Sequence, residues 1–217
     1  FQNVHIYRRT QLYLRLAEAL NGAGMPRAAF SILSTGLNNE IYQTSVYPYC
    51  SESDSIWISQ LDFPETRYGI VTAQYITSSS GGTGVYNTMG IHSRGSGWTP
   101  YNEFYRLPEA EPIPVVDEEG NPIEGLFIIE KDSPDLVEKQ QAFVDSLLLN
   151  ENGLEMAFEG PRFYDIMRFA MRQSNPEKFL AEKVAARRGK NNIDEALKSR
   201  LMDKRNWYLS WKGQIGL

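Results

Sequence analysis

Between His5 and Asn21 the apolar positions Ile6, Tyr13, Ala17 and Leu20 recur at helical spacing, with Leu12, Leu16 and Ala19 beside them on an adjacent face. The pattern predicts a helix packed on two sides. Gly22 and Gly24 break it, Pro26 fits the first turn of a new helix, and Ala29, Ile32, Leu33 and Leu37 form the next stripe. The expected product is a helical hairpin over 1–37. Leu16-Ala17, Leu20, Gly24, Ala29 and Leu33 fall where a tetratricopeptide repeat places its packing residues, although any antiparallel hairpin needs small residues at its crossing.

From 38 to 132 the periodicity changes to short β-prone runs, such as Ile56-Trp57-Ile58 and Tyr68 to Thr77, separated by Ser, Gly and Pro clusters. Ser78 to Gly84 reads as a mobile loop. Glu118-Glu119-Gly120-Asn121-Pro122 reads as a turn between extended stretches. Helix returns at Ser133-Pro134-Asp135, where Ser caps, Pro fits the first turn and Asp complements the dipole. Leu136, Phe143 and Leu147, with Val137, Val144 and Leu148 beside them, carry it to about Phe158.

Gly160 should stop that helix, and Pro161 should open another with Phe163, Ile166, Met167 and Ala170 facing inward, making a second hairpin. Asn175-Pro176-Glu177 starts a further helix that Gly189 ends. A short basic helix around Ile193 to Leu201 then precedes a packed aromatic tail, Trp207, Tyr208 and Trp211. The expected fold class is mainly α: tetratricopeptide-like hairpins with a long loop-rich, minor-β excursion.

A chain of 217 residues with 41% apolar positions can bury a sizeable core. Its single cysteine, Cys50, forms no internal disulfide, and no Cys/His spacing points to zinc. A net charge of −5 argues against a general nucleic-acid binder. The charge is unevenly placed: residues 109–135 hold nine acids against Lys131, whereas 177–205 hold nine bases against five acids. Solvated faces account for such runs in most proteins.

The stretch Glu151-Asn152-Gly153-Leu154-Glu155-Met156-Ala157-Phe158-Glu159-Gly160-Pro161-Arg162-Phe163-Tyr164-Asp165-Ile166-Met167-Arg168 resembles the signature near the end of SusD/RagB-family proteins. That pattern runs Glu-Arg, two residues, Glu-Leu-Ala-Phe-Glu-Gly, one residue, Arg, two residues, Asp-Leu, one residue, Arg. Asn152 stands where an Arg is usual, and Met156 and Ile166 replace Leu. Upstream, Tyr7-Arg8 followed by Leu14 to Leu20 is similar to the family's first helix, with Ala17-Glu18-Ala19-Leu20 in register. Together the two motifs cover about a seventh of the chain.

The resemblance implies the carboxy-terminal part of a non-enzymatic glycan-binding lipoprotein on the bacterial outer-membrane surface, partnered with a SusC-like TonB-dependent transporter in nutrient uptake. Its membrane contact would be an amino-terminal lipid anchor preceding Phe1, and family members are considerably longer than this chain. No cofactor is implied. A peptide-binding relative of the same fold, and a helical-repeat scaffold without a small ligand, are the other readings.

Read as chemistry, the signature is architectural: Glu155 and Glu159 flank a tight turn at Gly160, while Arg162, Asp165 and Arg168 are spaced i, i+3 and i+6 on one helix. Salt-bridged carboxylates are held ionised rather than poised for proton transfer. The chain has no phosphate loop, no serine-hydrolase elbow, and Gly95-Ser96-Gly97 lacks dinucleotide spacing. His5 and His92 are too few for a metal cluster or triad. A glycosidase needs only two well-spaced carboxylates, and nothing singles out a pair.

Sugar rings present C–H faces to aromatics and hydroxyls to amides and arginine. Arg94, Trp98, Tyr101, Asn102 and Tyr105 supply that mixture in one Gly-rich stretch, with Trp57 and Tyr86 as possible additions. These are the expected ligand-contact residues, and the competing reading is that the aromatics anchor a long loop.

Overall fold

The computed structural model describes residues 9–34, 37, 39–50, 52–58, 60, 91, 106–131 and 133–208. It is mainly helical with a small two-stranded sheet, as the sequence predicts. Two compact units divide the chain after Glu155.

The first unit, residues 1–155, is built on three mutually packed helices: α1 (Arg9–Gly22), α2 (Pro26–Ser34) and α5 (Pro134–Glu155). Helix α1 buries Thr10, Leu14, Ala17 and Asn21, with Glu18 and Leu20 beside them, while Leu12 is 55% exposed. The helix is therefore packed along one broad face rather than on two sides. Two partner helices cover only so much of a cylinder. Gly24 makes the expected break: its φ of +86° is left-handed, and Met25 N–H reaches back to the Leu20 carbonyl at 2.9 Å. Helix α2 buries Ala28, Ala29, Ile32 and Leu33 completely.

After α2 the backbone is not the β-prone excursion expected there. It forms α3 (Asn39–Ile41), a wide π-type turn over Tyr42–Val46, a 3₁₀ turn over Tyr47–Tyr49 and α4 (Glu52–Ile58). Ile56-Trp57-Ile58 thus lies in a helix. A run of three apolar residues cannot define a period, and Glu52 and Asp54 in the first turn complement the positive helix end. Tyr68–Thr77 and Ser78–Gly84 lie outside the described residues.

The extended stretches flanking the Gly120 turn form an antiparallel hairpin, β1 (Ile113–Val116) with β2 (Pro122–Ile128). Ile113 faces Ile128 and Pro114 faces Phe127, with a bulge before Val116 pairs with Pro122. The Asp117 carboxylate pins the turn by accepting from the N–H groups of Asn121 (2.8 Å) and Glu119 (3.1 Å). Leu126, Phe127, Ile128 and Ile129 are all about half exposed.

Helix α5 opens as predicted, with Ser133 Oγ accepting from Leu136 N–H at 3.3 Å. It ends at Glu155, three residues before the expected boundary. The reason is local: Phe158 has φ +65° and Gly160 has φ +88°, which no helical ladder accommodates.

In the second unit, residues 156–217, α6 (Arg162–Ala170) packs with α7 (Pro176–Ala185), and α7 packs with α8 (Glu195–Leu201). Asn175 caps α7 through Lys178 N–H, and Asp194 caps α8 through Leu197 N–H, each at 3.0 Å. Trp207 is buried, and its indole N–H donates to the Leu201 carbonyl at 2.7 Å. Tyr208 is exposed, so the packed tail is carried by Trp207; Trp211 lies outside the described residues.

Candidate functional site

Two constellations bear on function. The first is the signature. Glu155, the last residue of α5, is fully buried in the first unit. In the second unit Gly160 supplies the left-handed turn, Glu159 is exposed, and α6 carries Arg162, Asp165 and Arg168. Asp165 is 1% exposed, and its Oδ1 accepts from Arg168 Nη1 at 3.0 Å. Burial pushes the Arg162 guanidinium below its ordinary range, while the neighbouring Asp165 carboxylate opposes that shift. The i, i+3, i+6 spacing therefore places the buried Asp165 carboxylate one helical turn from an arginine on either side, with Arg168 bonded to it.

The upstream motif has a similar element. Glu18, in the Ala17-Glu18-Ala19-Leu20 run, is 5% exposed and pairs with Arg15 at 3.2 Å one turn earlier. Tyr7-Arg8 lies outside the described residues.

Of the expected ligand contacts, Trp57 falls within α4, while Arg94, Trp98, Tyr101, Asn102 and Tyr105, like Tyr86 and His92, lie outside the described residues. The structure therefore brings none of them together in a described site.

What the first unit does form is a recess that sequence reasoning missed. The first turn of α2, the Val46–Cys50 turns, Asp54 of α4, Lys131 and the Val137/Gln140 face of α5 enclose about 110 Å³. The Arg27 guanidinium lies 3.6 Å from the centre of the Tyr49 ring, and Lys131 Nζ lies 5.2 Å from it. Arg27 Nη2 donates to Glu109 Oε2 at 2.9 Å. Its Nε is buried with no hydrogen-bond partner. Gln140, 2% exposed, is locked by donating to the Pro108 carbonyl at 2.7 Å.

Cys50 also borders this recess, its thiol 3.4 Å from the Val46 carbonyl. Burial pushes the thiol up from its ordinary value, Asp54 adds to the shift and Arg27 counters it, which favours the protonated form that donates to Val46. The residues of the recess span positions 24 to 140. Only Pro26-Arg27 at a helix start and the Tyr47-Pro48-Tyr49 turn stand out in the sequence, and neither reveals the other.

Among the described residues no group of His, Cys, Asp and Glu could hold a metal ion, and no helix is long and apolar enough to cross a membrane. Comparison with protein-family models, curated proteins and solved structures finds no match to this chain.

Proposed function

We propose that this chain is part of a non-enzymatic, surface-exposed glycan-binding subunit of a TonB-dependent outer-membrane uptake complex, of the SusD/RagB type. The reading rests on the resemblance carried by Glu151 to Arg168 and by Ala17 to Leu20. In that setting a lipid anchor would hold the protein at the outer membrane, and its partner would be a SusC-like transporter.

The observation that supports a binding rather than a catalytic role is the state of Asp165. A general acid or base must reach its substrate and exchange protons near the working pH. Asp165 is 1% exposed and ion-paired to Arg168, which suits it to holding a helix in place. In the recess, Asp54 is the one carboxylate among the described lining residues, whereas glycoside hydrolysis uses a facing pair.

Isothermal titration against a panel of polysaccharides, oligosaccharides and peptides, with Trp98→Ala alongside, tests the reading. Glycan binding without product release is the expected result. Peptide-only binding, or hydrolysis of a bound oligosaccharide, would sink it. Glycan binding that survives Trp98→Ala keeps the function and discards the aromatic stretch as its site.

A further inference from the structure

The β1–β2 hairpin is apolar on both of its faces. Alternation along a strand sends Leu126 and Ile128 to one face and Phe127 to the other, and all three are about half exposed, as are Ile129 just beyond them and Ile113 across from Ile128. Neither face therefore rests on a core, and no described helix meets the hairpin beyond marginal contact. A two-stranded ribbon in this state is marginal in water, and a third strand is one of the additions that stabilise it.

The two outer edges are not equivalent. Pro114 removes a donor from β1, a common device for blunting an edge, whereas β2 has no proline after Pro122. Gly125, at φ +77°, interrupts the extended backbone, so the regular stretch offered for pairing is 126–128 with Ile129 beside it. Among the described residues no strand other than β1 pairs with β2.

Charge decides the occupant. Glu124 and Glu130 bracket the stretch, with Glu111, Glu118 and Glu119 elsewhere around the hairpin; all five are exposed, and none is in an ion pair among the described residues. A second copy fits poorly: antiparallel pairing of two β2 edges about Phe127 sets Glu124 of one copy opposite Glu130 of the other, and like charges directly opposite destabilise. The same carboxylates repel an anionic lipid surface. A strand with Lys or Arg at its ends meets them favourably.

We infer that the free edge of β2 over residues 126–129 is a docking site for an extended segment of a partner protein, apolar at alternate positions and flanked by Lys or Arg. Main-chain hydrogen bonds to β2 supply its affinity, its apolar side chains extend one face of the hairpin, and Glu124 and Glu130 fix its register. The inference does not depend on the glycan reading.

The test titrates the chain with fluorescein-labelled short peptides of alternating Val and Thr, closed at both ends by paired Lys, by paired Glu, or by paired Lys with a Pro at the centre. Anisotropy reads binding, and amide NMR reads its location. The Lys-ended peptide is expected to bind about tenfold tighter than the Glu-ended one, to weaken with salt, and to shift the amides of Phe127 and Ile128. Glu124→Lys combined with Glu130→Lys, both at exposed positions, should reverse that preference. The comparison of peptides on the unaltered chain keeps the test independent of how the variant folds. No binding of the Lys-ended peptide, equal binding of the Lys- and Glu-ended ones, or a Pro-containing peptide that binds as well as its parent overturns the proposal, as does a folded charge-reversed variant that keeps the original preference. Phe127 and Ile128 amides that shift with protein concentration alone, alongside self-association in sedimentation, give the edge to a second copy instead. Shifts with phosphatidylglycerol vesicles but not with peptide give it to a membrane, and either result overturns the partner.

Discussion

Asn21 and Gln141 lock α1 to α5 by a reciprocal pair of hydrogen bonds: Asn21 Nδ2 donates to the Gln141 carbonyl at 2.9 Å, and Gln141 Nε2 donates to the Asn21 carbonyl at 2.6 Å. The same Asn21 amide also reaches Asp145 Oδ1 at 2.9 Å. Asn21 is 1% exposed, so these bonds form where water does not compete freely. The carbonyl at the end of α1 accepts twice, from Gly24 N–H at 3.1 Å and from the Gln141 side chain 120 residues away.

Asn21→Ala should therefore destabilise the first unit by about 1–3 kcal/mol, because Gln141 and Asp145 lose their buried partner. Urea denaturation measures it through the transition midpoint at unchanged slope. A loss under about 0.5 kcal/mol, the level of an ordinary surface substitution, would mean that the pair orders the helices without stabilising them.

The Asp165–Arg168 pair should show real coupling despite lying on one helix. Arg168→Ala takes one ion-pair partner from a 1% exposed carboxylate, at a cost of about 1–3 kcal/mol once the partial exposure of Arg168 is allowed for. A double-mutant cycle with Asp165→Ala should give an interaction of about 1 kcal/mol or more. Strict additivity would demote the pair to a surface contact.

Phe158 and Gly160 make opposite predictions from one turn. Gly160→Ala meets no atom within 4 Å, so its cost is backbone strain at φ +88°, about 1–2 kcal/mol. Phe158 sits at φ +65° with its ring fully exposed, so it bears the strain with no burial in return. Phe158→Asn, which tolerates that conformation, should stabilise by about 0.5–1 kcal/mol. Thermal unfolding of both variants checks the signs; a Phe158→Asn protein that melts lower would mean that the ring is covered in solution.

Cys50 should react with a disulfide reagent more slowly than free cysteine at pH 8, since burial and Asp54 hold the thiol protonated. Because its folded pKa is raised, its contribution to stability is complete below the ordinary thiol pKa. It is lost as pH rises through the higher folded value. Alkylation rates measured from pH 7 to 10 should rise later than those of a model thiol. Coincident profiles would contradict the shift.

Much of the helical framework was legible because its signals are local. Gly24 and Pro26 mark one boundary, Ser133-Pro134-Asp135 another, and Asn175-Pro176 a third, each through a cap or a fixed dihedral that acts within one turn. The Asp165–Arg168 pair was equally readable, since three residues along a helix is a contact by construction. The misreadings have the same origin. Ile56 to Ile58 was too short to carry a period, and the end of α5 was set by the left-handed Phe158, a residue that ordinarily avoids that conformation.

By itself, then, the sequence determined the mainly helical class, most helix starts, the β1–β2 turn and the charge arrangement on α6, because each depends on residues within a few positions of one another. Tertiary structure alone decided which face of α1 is buried, the crossing of Asn21 with Gln141, and the recess where Arg27, Tyr49 and Lys131 meet. Those contacts join residues that packing brings together across as many as 120 positions, and no periodicity in a single chain encodes which distant turn will lie against which helix.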